Sequence, residues 1–143
     1  MIKNLSDFFA AKQEFFLDSV CYKRIDKREQ REKYTLSCTD QIKAELTEDK
    51  SGVKLTVERV LVFEPEEIFS LSVVFGAKLK FNEKLRDEYD WETIDLEDEF
   101  VKNGRFVLGN LMSRISLLIG QITSSVGQTP LVLPPRINWE EEK

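Results

Sequence analysis

Phe69-Ser-Leu-Ser-Val-Val-Phe-Gly-Ala-Lys-Leu-Lys-Phe81 alternates without a break. Phe69, Leu71, Val73, Phe75, Ala77, Leu79 and Phe81 fall on one side, and Ser70, Ser72, Val74, Gly76, Lys78 and Lys80 on the other. A period of two is a β-strand with one buried face, because successive side chains leave the pleat in opposite directions. At ~3.3 Å per residue this strand should run over ~40 Å, longer than most. Upstream, Glu64-Pro65-Glu66-Glu67 turns the chain, and Val53, Leu55 and Val57 carry an earlier alternation. That alternation slips by one at Glu58-Arg59 and resumes on Val60 and Val62, as a bulge would produce. Glu48-Asp-Lys-Ser-Gly52 reads as a hairpin turn in which Gly52 supplies positive φ. Before it, Tyr34, Leu36, Cys38, Ile42, Ala44 and Leu46 oppose Thr35, Ser37, Thr39, Gln41, Lys43 and Glu45, with a bulge expected at Asp40. Phe15 to Ile25 is a further strand. The mixed-charge run Lys23 to Lys33 is either a solvated turn or a basic contact surface. Four strands joined by turns, each with one apolar face, make an antiparallel sheet that needs a cover.

Two segments outside the sheet supply helices. Residues 1–14 hold a short N-terminal helix, capped by Asn4 or Ser6, with Asp7 in its first turn and Phe8 and Phe9 on its buried side, ending near Gln13. Asn82 to Glu99 is acidic, with Tyr89 and Trp91 among the carboxylates. It is a loop leading into a helix, or the acidic first turns of that helix, which the dipole favours. Helix is expected from about Ile94, interrupted near Asn103-Gly104, and it resumes from Arg105 to Val126. This last helix has three faces. Leu108, Leu111, Met112, Ile115, Leu118, Ile119, Ile122 and Val126 form an apolar stripe; Asn110, Arg114, Gln121 and Ser125 form a polar one. Gly109, Ser113, Ser116, Gly120 and Ser124 form a seam of small residues. Glycine costs up to ~1 kcal/mol against alanine inside a helix, so the seam needs a reason. Small residues let another backbone approach, either from the domain itself or from the same helix of a second subunit across an isologous interface.

A chain of 143 residues with 41% hydrophobic and 33% charged residues suits one globular domain. The expected layout is residues 15–81 as sheet, 90–127 as helices and 128–139 as an extended segment. A net charge of -5 argues against a general nucleic-acid binder. Met1 to Asp7 has no apolar signal region and no stretch has ~20 uninterrupted apolar residues, so a cytoplasmic protein without membrane insertion is expected. Cys21 and Cys38 make no disulfide framework. The chain has no histidine, which removes the commonest general base and zinc ligand, and neither standard phosphate-binding glycine loop is present. No catalytic residue, metal site or cofactor is marked out.

The closing run Gly127-Gln-Thr-Pro-Leu-Val-Leu-Pro-Pro-Arg-Ile-Asn-Trp139, after four antiparallel strands and an amphipathic helix, resembles the SecB chaperones and their SecB-like relatives. Gly127, Pro130, Leu131, Leu133, Pro135, Asn138 and Trp139 match the family's ending in order. The resemblance implies an α+β fold: a four-stranded antiparallel sheet with helices on one face, assembled as a dimer of dimers. It also implies a chaperone that holds unfolded or partly folded polypeptides, for delivery to an export motor or to protect one unstable partner such as an antitoxin. The sequence departs from the family pattern by an extra residue in Pro134 to Ile137, by Gln128-Thr129 in place of an aromatic-proline pair, and by a tail without Cys or His. A zinc-dependent motor contact is therefore not expected. Phe8 and Phe9 belong to an added segment.

Phe75, Phe81, Trp91, Phe100, Phe106 and Trp139 are the candidates to line a client groove between sheet and helix, since aromatics give large contact area; each suits ordinary core as well. Gly109, Ser113, Ser116 and Gly120 are the candidate oligomer interface. Two other readings remain open: an interaction subunit dedicated to one partner, and an enzyme or small-ligand carrier using the concave sheet.

Overall fold

The computed structural model describes residues 2–25, 35–64, 68–125 and 131–135. Its centre is an antiparallel sheet of β1 (Phe9–Ile25), β2 (Thr35–Leu46), β3 (Gly52–Glu64) and β4 (Ile68–Phe81), in the order β1-β4-β3-β2. Helices α1 (Leu96–Asn103) and α2 (Arg105–Ser125) follow. The unbroken alternation of β4 places Phe69, Leu71, Val73, Ala77, Leu79 and Phe81 in the core. α2 packs on β4 and β3, and α1 against β2. Length and hydropathy alone make α2 long and apolar enough to cross a membrane. Here its Val107, Leu111, Met112, Ile115 and Ile119 are buried in the core formed with the sheet.

Four local expectations are corrected. The slip at Glu58-Arg59 does not occur, nor does a bulge at Asp40. β2 and β3 pair in one register from Thr35 opposite Glu64 to Leu46 opposite Val53, with Asp40 opposite Arg59. Val53, Leu55, Val57, Arg59 and Leu61 keep one phase and all are buried, so the apparent slip is a charged pair standing in an apolar row. The bulges lie instead in β1, between Phe9 and Gln13 and between Leu17 and Ser19.

The N-terminal helix does not reach Gln13. It is a 3-10 turn at Leu5–Phe8, and β1 begins at Phe9. Phe9 pairs with Phe81, their rings stacked at 5.2 Å. So short a helix is marginal in water, and a cross-strand aromatic pair stabilises the strand more.

In the β2–β3 turn the left-handed residue is Lys50, at φ 58, not Gly52. Gly52 is needed for space, since a Cβ there would stand 2.0 Å from the Leu79 carbonyl oxygen. The break between the helices falls at Gly104, as the sequence indicates, and α1 starts behind Asp95, whose carboxylate accepts from the Asp98 amide at 3.1 Å.

Candidate functional site

α2 divides the helix-bearing side of the sheet into two flanks. On the β1 flank, register sets Leu17 opposite Phe75, Val20 opposite Val73 and Tyr22 opposite Leu71, all facing the helix side. Nothing described covers Leu17 and Val20, which are 51% and 41% exposed. The Arg114 guanidinium carbon lies 4.4 Å from the centroid of the Phe15 ring, and Arg114 Nε donates to Asn110 Oδ1 at 2.9 Å. The polar stripe of α2 thus borders an apolar row on β1.

The other flank, over β3 and β2, is filled by the chain itself. Residues 131–135 lie against α2 beside Ser116, Gly120 and Ser124. The Leu131 amide donates to Thr123 Oγ1 at 2.9 Å, and that hydroxyl donates to the Ile119 carbonyl at 2.8 Å. The Pro134 carbonyl accepts from Arg59 Nη1 at 3.1 Å, and the same nitrogen lies 3.4 Å from Ser116 Oγ. Arg59 is held from behind by both oxygens of Asp40, at 2.8 and 2.9 Å. Burial works against the guanidinium charge, but the hydrogen bonds and charge of Asp40 outweigh it and keep its pKa above the ordinary value. Cys38, a neighbour on β2, has its thiol pushed up by burial.

No protein-family model matches the chain, and no curated protein matches it. Among solved structures, the Mycobacterium tuberculosis SecB-like chaperone Rv1957, in complex with a ChAD peptide from the antitoxin HigA1, is similar with a TM-score of 0.66 at 14% identity, covering 90% of this chain and 91% of that one. This chain has the SecB-like fold. A protein of unknown function from Streptococcus agalactiae aligns with a TM-score of 0.41 at 17% identity, covering 87% of this chain and 97% of that one.

In this SecB-like fold the aromatic candidates separate. Phe81, Trp91 and Phe100 are buried, so in this conformation they do not line an open groove. They belong to a cluster with Phe9: Phe81 lies 4.8 Å from Trp91, and Phe9 lies 5.7 Å from Phe100. The cause is β1, whose early start brings Phe9 onto these rings. Trp91 Nε1 donates to the Arg86 carbonyl at 2.7 Å, which satisfies its one donor inside the cluster. Phe75 and Phe106 are half-buried. Trp139, like Gly127 and Asn138, lies outside the described residues.

The small seam also splits. A Cβ on Gly109 would meet nothing within 4 Å, and Ser113 is exposed. Ser116 and Gly120 are occupied within the chain, a Cβ on Gly120 standing 3.6 Å from the Leu131 carbonyl oxygen. The residues that shape the two flanks, Leu17, Val20, Asp40, Arg59 and Thr123, were not candidates. A charged residue at each of two facing strand positions was the signal for Asp40 and Arg59. Leu17 and Val20 carry no signal that sets them apart from other strand residues. Among the described residues no group of three Cys, Asp or Glu side chains is placed to hold a metal ion.

Proposed function

We propose that this protein is a SecB-like chaperone that holds unfolded or partly folded polypeptides, without catalysis, as a cytoplasmic homo-oligomer. The observation that carries the reading is the uncovered apolar row on the β1 flank, with Leu17 51% exposed and Val20 41% exposed beside a long helix. Exposed apolar rows bordered by polar side chains mark polypeptide-binding surfaces. The SecB-like fold supports it, since the similar Mycobacterium tuberculosis chaperone was solved with a bound peptide.

The test is suppression of aggregation. At stoichiometric amounts the protein should delay aggregation of several unrelated denatured proteins. Leu17→Asp/Val20→Asp should abolish this without unfolding the chain, because both side chains are already exposed. Each contributes up to about 1.5–3 kcal/mol when buried by a client, so a loss of ten-fold or more in affinity is expected. Unchanged suppression by the double variant would refute the β1 flank as the client surface. Protection of one partner only would favour the dedicated, antitoxin-type reading. Delivery to an export motor is the further step the resemblance implies: capture of presecretory chains from cytoplasm supports it, and their absence removes it.

A further inference from the structure

On the β3 flank, the contacts to residues 131–135 are made to main chain. One N–H, that of Leu131, is accepted by Thr123 Oγ1; one C=O three residues on, that of Pro134, accepts from Arg59 Nη1. Between them Leu131 and Leu133 pack against the core, while Val132 points away and is 86% exposed. No polar side chain of the segment takes part in these bonds. The slot therefore holds this segment by main-chain bonds and by apolar side chains at alternate positions, a mode that does not depend on the rest of its sequence.

The slot is built rather than incidental. Thr123 is fully buried and Arg59 is 2% exposed, and Asp40 fixes the guanidinium through two bonds so that Nη1 faces the strand. Asp40 also neutralises Arg59, leaving a site suited to uncharged backbone. Of the small residues of α2, Gly120 lies beside the segment, where even a Cβ would stand in van der Waals contact with the Leu131 carbonyl oxygen, at 3.6 Å.

We propose that this slot is a second site for extended polypeptide, which Leu131–Pro135 occupies in cis, so that a client strand binds there by displacing it. The proposal rests on the chaperone reading and deepens it. The cis segment is a competitor. Apparent client affinity equals the intrinsic affinity scaled by the fraction of chains whose slot is open.

The test uses the full chain and a reduced, carboxymethylated model protein as a permanently unfolded client. Saturating client should accelerate hydrogen exchange of the Leu131 amide, whose acceptor on Thr123 the client takes. Leu131→Ala/Leu133→Ala weakens the cis segment but leaves the slot intact, and should bind the client about ten-fold more tightly. If bound client leaves exchange at Leu131 unchanged or slower, the displacement is wrong while the chaperone reading stands. A double variant that binds no more tightly than the unaltered protein overturns the displacement in the same way. If neither protein binds the client, both readings fall. Should the variant not fold, exchange at Leu131 in the unaltered protein still decides.

Discussion

Replacing Asp40 with alanine strikes the one ion pair whose two side chains are both buried among the described residues. The Asp40 side chain is 0% exposed and that of Arg59 2%. The substitution removes both carboxylate bonds from a guanidinium whose side chain is only 2% exposed and which keeps its bond to the Pro134 carbonyl. Removing one partner of such a buried pair costs about 3–5 kcal/mol, because the remaining charge loses the carboxylate that offset its desolvation. In urea, with a slope near 2 kcal/mol/M for a domain of this size, the midpoint should fall by roughly 2 M. Protein concentration must be held fixed, since self-association adds to stability. The double variant Asp40→Leu/Arg59→Met separates charge from packing. An apolar pair in the same space is neutral or stabilising, and the lost bond to the Pro134 carbonyl takes back about 1 kcal/mol. The double variant should therefore unfold near the unaltered protein while the Leu131–Pro135 segment loosens. Two results would refute the reasoning: a single substitution costing under about 1 kcal/mol, or a double variant as unstable as the single.

Gly52→Ala should cost about 1–3 kcal/mol in thermal or urea unfolding, because its Cβ would collide with the Leu79 carbonyl, 2.0 Å away. The Asp49 carboxyl accepts hydrogen bonds from the Thr47 hydroxyl and from the Ser51 amide and hydroxyl, which lower its pKa from 3.8 to about 2. The folded value is the lower one, so its contribution is complete above about pH 4 and fades as the pH falls towards 2. An NMR titration of the Asp49 carboxyl carbon checks this, and an unshifted midpoint would remove the turn network. Gly109→Leu/Ser113→Leu adds bulk where the chain itself leaves open space, so the fold should survive; a smaller mass by light scattering is expected if this end of the seam is the subunit interface, and an unchanged mass excludes it.

Much of the sheet could be read in advance because period-two alternation is a local property. β4 carries it over its full length, and its inward residues are those of the core. The break at Gly104 was equally local, since a Cβ there would sit 2.3 Å from the carbonyl oxygen of Phe100, four residues back. The three faces of α2 were also visible, as were the small residues that called for a close backbone. Periodicity says which side of an element faces inward. It does not say what arrives there.

That second question was decided by contacts distant along the chain. Arg59 looked like a register slip because its partners lie elsewhere: Asp40 is 19 residues away and Pro134 is 75. Of the aromatics named as groove candidates, Phe81, Trp91 and Phe100 are core, and Phe9, in a strand that starts earlier than its local pattern suggests, reaches Phe81 and Phe100. The exposure of Leu17 and Val20 follows from where α2 lies across the sheet, which no property of β1 encodes. By itself the sequence determined that four strands form, where the helix breaks and which faces are apolar, since these depend on neighbours within a few residues. The start of β1 at Phe9 depended instead on its distant partner Phe81. Only the tertiary structure decided which flank of α2 stays open and which the chain fills with its own extended segment, because that depends on helix placement and on a buried charge pair formed across two strands.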